Sequence, residues 1–142
     1  MPEYGLKLPS RVDSETRLLE ELERILRANN VSQRELHQFM VVVSEAFTNA
    51  IIHGNCLDCN KNVTITIRVN DDVLAADIVD QGRGGVERVH SRGTAGPFAE
   101  GGRGVDLIQY YATDVRFTED DGGLKVSIEY ARKMKDGTND SP

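Results

Sequence analysis

The stretch SEAFTNAIIHGN, residues 44–55, sets Glu45, Asn49 and His53 four residues apart in an otherwise apolar run. If the run is helical, Glu45 and Asn49 point in directions only about 40° apart. A carboxylate and a neutral amide oxygen on one helical face can share a hard cation, or the first can take a proton while the second holds the metal. A structural polar pair inside the core accounts for the same spacing. In DIVDQGRG an apolar stretch ends at Asp80 and breaks into Gly82 and Gly84. An ionised Asp only accepts hydrogen bonds, so it suits a ligand that presents an amino group, such as the exocyclic amine of adenine, and repels the carbonyl of guanine. Glycines directly after it let the backbone approach a flat ring. An ordinary glycine turn with a local Asx bond fits these residues too.

A third group is EGGRGVDLI, where Gly102, Arg103 and Gly104 run straight into a helical pattern. Backbone N–H groups at a helix start favour phosphate oxygens, and Arg103 adds a charge-assisted donor. This is neither a Walker loop, since no GxxxxGK[ST] occurs, nor the Rossmann fingerprint. Between the two glycine clusters, residues 81–104 hold most of the chain's 13 glycines. That length and composition suit a lid that orders over a ligand, or a disordered surface loop.

The elements that must position these groups are legible around them. GLKLPS reads as a first strand, and Leu18, Leu22, Ile25 and Leu26 recur at helical spacing over residues 15–28. The next helix has a marked start, with Ser32 and Glu35 as a capping box and Val31 and Leu36 as a hydrophobic staple. It is expected to run to about His53, with Leu36, Met40, Val43, Phe47 and Ile51 on one face and Val41, Val42 and Ile52 opposite, so that it is covered all round. NVTITIRV and VLAADIVD, joined at Asp71 and Asp72, predict a hairpin. VDLIQYYA reads as a helix, and DVRFTE and LKVSIEYA as two strands around the turn DDGG. This order predicts an α+β fold with a mixed, mostly antiparallel sheet and helices on one face.

At 142 residues the chain is expected to be one domain over 1–134, followed by a flexible polar tail over 135–142. The net charge of −6 and scattered basic residues argue against nucleic acid as partner. No apolar run is long enough for a membrane span, and MPEYGLKLPS lacks the pattern of a signal peptide, so a cytoplasmic location is expected. Cys56 and Cys59 form a lone CxxC. Without a second ligand pair they read as reduced loop thiols, although His53 and His90 are conceivable zinc partners.

Taken in order, E-x-x-x-N-x-x-x-H-G on a helix, D-x-G-x-G, a lid and G-x-G opening a helix resemble the GHKL ATPase superfamily. VVVSEAFTNAIIHGN looks most like its small anti-sigma factor serine/threonine-protein kinases. The resemblance spans essentially the whole chain and implies a two-layer α/β sandwich, the Bergerat or histidine kinase-like ATPase fold, with ATP between the helices and the lid. It further implies that Asn49 holds Mg²⁺ and that Glu45 is the general base. Asp80 would bind the adenine amine, Gly82 and Gly84 would shape the pocket, and Gly102, Arg103 and Gly104 would contact phosphates. His53 and Gly54 receive structural roles. Relatives often carry a Thr after the last glycine turn, where this chain has Leu124 and Lys125, leaving Ser127 as a substitute.

The resemblance implies an ATP-binding anti-sigma factor that sequesters a sigma factor, phosphorylates a serine of an antagonist protein, and forms a homodimer. A nucleotide-gated binding module without kinase activity shares these motifs. So does a histidine kinase catalytic domain, although no dimerisation helix pair is expected ahead of residue 32.

Overall fold

Residues 2–83 and 108–132 are described by the computed structural model. Their elements run β1 (Glu3–Pro9), α1 (Ser14–Ala28), α2 (Gln33–Asn49), a π-helical turn (Ala50–Gly54), β2 (Asn62–Val69), β3 (Val73–Val79), β4 (Asp114–Asp120) and β5 (Gly123–Ala131). Residues 108–111 are helical, within the stretch where the sequence predicts a helix. Gly84, Gly102, Arg103, Gly104, His90, the expected lid and the polar tail lie outside the described residues.

The five strands form one sheet in the order β1-β2-β3-β5-β4, and every pairing is antiparallel. Local chemistry fixes both hairpins. Between β2 and β3, Asn70 Oδ1 accepts the N–H groups of Asp72 and Val73, each at 2.7 Å. Between β4 and β5, Asp121 and Gly122 take positive φ of 52° and 86°, the left-handed pair of a type I′ turn whose twist suits the strands it joins.

Strand alternation places Ile65, Ile67, Leu74, Ile78, Val126 and Ile128 on one face, under Leu18, Leu22, Phe39, Val43 and Phe47 of the helices. The opposite face carries Arg68, Asp77, Lys125 and Ser127, so the molecule has two layers and one apolar core between them. At the start of α2 the Ser32 side chain accepts from Glu35 N–H at 3.2 Å, and Val31 and Leu36 are both buried as the staple requires.

Three expectations change. The helix is not covered all round: Val42, Val43, Ala46 and Phe47 are buried, whereas Val41 is half-buried and Ile52 is 41% exposed. The reason is that α2 lies on one face of the sheet, and among the described elements α1 is the helix that packs against it. The α-helical hydrogen-bond pattern also stops at Asn49, and the next turn widens, with Asn55 N–H donating to Ala50 O at 2.9 Å. Ser127, finally, sits across from Asp77 on the outer face and hydrogen-bonds to it, so it cannot replace a residue beside Asp80.

Glu35 does more than begin the helix. Its carboxylate accepts from Arg132 Nε at 3.2 Å with both side chains almost wholly buried, and Arg132 also donates to Asn70 O at 2.8 Å. The pair ties the start of α2 to the end of β5 and the β2–β3 turn. Breaking it by Arg132→Met removes one half of a buried ion pair, and urea denaturation is expected to show a loss of about 3 kcal/mol.

Candidate functional site

Glu45 and Asn49 both lie on the outward side of α2, half-buried, one turn apart. Asn49 Nδ2 donates to Glu45 O at 2.8 Å, which fixes the amide so that its Oδ1 is the atom left to meet a ligand. Glu45 stands at one end of a cavity of about 230 Å³ between α1 and α2, lined also by Leu19, His37, Met40, Val41 and Ser44. Ser44 in turn donates to Glu15 across the two helices.

Asp80 follows β3 directly and is 3% exposed. Its Oδ1 accepts Gly82 N–H at 2.9 Å and Leu124 N–H at 3.1 Å, while its own N–H donates to Leu124 O at 3.1 Å. The Asx bond to Gly82 thus forms within a buried carboxylate, both N–H donors sharing one oxygen. The other oxygen lies over Gly54: a Cβ there would come within 2.1 Å of Asp80 Oδ2, and a Cβ on Gly123 within 2.2 Å of Asp80 O. Both glycines are needed for close approach rather than for unusual dihedrals.

The π-helical turn links the two groups. Gly54 closes the helix that carries Asn49, so the metal-binding candidate and the floor beneath Asp80 are roughly 6–8 Å apart along one axis. Gly82 is buried beside Asp80, and His53 is half-buried in the same turn. Cys56 and Cys59 are free, exposed thiols, and the described residues include no cluster of three metal-ligating side chains.

Nothing in the local pattern marks Asn55 or Ser10, yet both are buried beside the site and hydrogen-bonded to each other at 2.8 Å. A polar residue directly after a glycine helix end was the only available signal.

A second concavity, about 330 Å³, lies on the outer sheet face around Arg68, Asp77, Lys125 and Ser127. Burial pushes the Asp77 carboxyl up, but hydrogen bonds from Arg68 and Ser127 and the charges of Arg68 and Lys125 outweigh it and hold the group below the usual carboxylate value. Its charges are thus satisfied among themselves.

Residues 8–130 match the family model for the histidine kinase-like ATPase domain, and the chain belongs to that family, a nucleotide-binding one. Among curated proteins, the anti-sigma F factors of Bacillus velezensis and Bacillus subtilis (strain 168) are each 36% identical over 85 residues, 57% of this chain and 58% of theirs. The anti-sigma F factor of Geobacillus sp. (strain WCH70) is 48% identical over 50 residues, 35% of this chain and 34% of its own. The chain thus spans a little over half the length of the first two. Among solved structures, the RsbU and RsbW domains of Rv1364c from Mycobacterium tuberculosis share the fold, with a TM-score of 0.68 over 94% of this chain and 34% of that one at 14% identity. The α+β sandwich expected from the sequence is therefore the fold of the chain. Among the described residues no helix is long and apolar enough to cross a membrane.

The donor set suits a nucleotide with its metal. Asn49 Oδ1 is a hard oxygen left facing outward, fitting a Mg²⁺ ion that takes most of its ligands from phosphates and water. Asp80 is a buried acceptor at the edge of the same helix end. Gly54→Ala is expected to weaken nucleotide binding by about tenfold or more in calorimetric titration and to lower stability by about 1–3 kcal/mol, because the new methyl overpacks Asp80.

Proposed function

We propose that the chain is an ATP-binding anti-sigma factor with serine protein kinase activity, which sequesters a sigma factor and phosphorylates an anti-sigma-factor antagonist. The observation that carries this is Glu45, one turn before Asn49 on the same outward face and lining a cavity between α1 and α2. A switch that only binds nucleotide needs the amide and not the carboxylate.

In this reading Asn49 Oδ1 holds Mg²⁺, and Asp80 accepts the adenine amino group, oriented by the N–H groups of Gly82 and Leu124. Bound Mg²⁺·ATP supplies the phosphoryl group, and its transfer depends on positioning and electrostatics more than on covalent chemistry. Glu45 takes the proton of the attacking serine hydroxyl, and its place beside the cavity lets a protein segment reach it. The resemblance would give Gly84 a part in the adenine pocket and Gly102, Arg103 and Gly104 the phosphates, all four outside the described residues. The names of the anti-sigma F factor relatives support the sigma-factor partner, and the antagonist and the homodimer are part of the proposal.

Isotope transfer from γ-labelled ATP to partners captured from the native cytoplasm tests the reading. Glu45→Gln is expected to cut transfer about 100-fold or more while nucleotide still binds, and Asn49→Ala to abolish it. Unchanged transfer in Glu45→Gln alongside loss in Asn49→Ala would make Glu45 no base. Partner binding that responds to ATP without any label transfer would identify a nucleotide-gated module instead.

A further inference from the structure

We propose that Asn55 is a positioning residue for adenine recognition: it holds the Asp80–Gln81 peptide while Gly54 backs the Asp80 side chain, and together they set the aim of the Asp80 carboxylate. The inference rests on the reading of Asp80 as the adenine acceptor and extends it to a residue that does not itself touch the base.

Asn55 is 1% exposed and uses its whole side-chain amide. Nδ2 donates to Ser10 Oγ at 2.8 Å and to Asn62 O at 3.0 Å, and Oδ1 accepts Gln81 N–H at 2.8 Å. Ser10, wholly buried, passes the chain on by donating from Oγ to Lys61 O at 2.7 Å. Gln81 is held at its other end too, its Oε1 accepting Asn62 N–H at 2.5 Å. A neutral amide is the side chain that can donate twice and accept in one plane, which these three partners require.

The consequence is a pairing of neighbours. Gly54 lies against the Asp80 carboxylate while the next residue, Asn55, holds the next amide, Gln81 N–H. The amide after that, Gly82 N–H, is held by Asp80 itself. Two consecutive backbone N–H groups are thus fixed by two different buried side chains, which leaves the peptide joining Asp80 to Gln81 little rotation. Removing Asn55 frees the first of them, so Asp80 keeps its bonds to Gly82 and Leu124 but its carboxylate is aimed from a peptide held on one side less. Selectivity suffers before binding does, because a mobile carboxylate discriminates an amine from a carbonyl less well.

The test compares ADP and GDP affinity by calorimetric titration, with melting temperature measured in parallel. Asn55→Ala is expected to lower the ADP-over-GDP preference about tenfold, the size typical of losing one buried hydrogen bond with its partner left unsatisfied. In an Asp80→Asn background the same change should lower the preference no further, whereas a merely structural loss would add to it. Ser10→Ala removes only the hydroxyl that anchors Nδ2. It should lower the preference in the same direction by about two- to threefold, and it provides the reading if Asn55→Ala does not fold. A lower melting temperature in Asn55→Ala and Ser10→Ala with the parent's ADP preference retained overturns the proposal. An unchanged preference in Asp80→Asn itself overturns the reading of Asp80 along with it. Loss in Asp80→Asn with none in Asn55→Ala overturns the role of Asn55 alone.

Discussion

The structure turns on one buried carboxylate. Asp80 sits at the end of β3, where desolvation penalises a charge unless hydrogen bonds replace the lost water. Two backbone N–H groups, from the turn after it and from the neighbouring strand, provide that replacement at a single oxygen. Much else follows. Gly123 must lack a side chain because β5 passes over the Asp80 carbonyl, and Gly54 must lack one because the helix end lies against the carboxylate. A strand end, a helix end and a hairpin turn thus meet at one acidic group, the acceptor proposed for a flat, amine-bearing ligand.

The second helix acts as the ruler that relates this acceptor to the rest of the site. Its start is anchored through Glu35 to Arg132, and its far end rests on Asp80 through Gly54. Between the anchors, Val42, Val43, Ala46 and Phe47 face the core, leaving Glu45 and Asn49 on the outward side. Holding both ends fixes the roll of the helix, and the roll decides which side chains reach a ligand. The widened turn at Ala50–Gly54 falls between Asn49 and Gly54, where helical irregularities often accompany function.

The sequence is most informative where chemistry is local. The capping of α2 by Ser32, the alternation in β2 and the one-turn spacing of Glu45 and Asn49 are all short-range patterns, and all appear as expected. Contacts between distant segments leave no periodic trace. Asn55 meets Gln81 and Ser10 across gaps of 26 and 45 residues, so its role emerges only when the sheet is assembled. The same holds for Ser127, whose side of β5 depends on strand register, and a shift of one residue would exchange its face. Apolar side chains on the outer side of α2 look like core in a linear pattern, and the helix expected to be covered all round is not so covered by the described residues. Val41 on that side lines the cavity beside Glu45, and Ile52 is exposed.

The central claim is that nucleotide binds at the end of α2 against Asp80, not in the larger polar concavity on the outer sheet face. Amide chemical-shift mapping of the isotopically labelled chain on addition of Mg²⁺·ATP tests this most directly. The account predicts the largest shifts at Gly54, Gln81, Gly82 and the side-chain amide of Asn49, with Arg68, Asp77, Lys125 and Ser127 unmoved. Shifts concentrated at those four outer-face residues, with Gly82 and Asn49 unchanged, would contradict it.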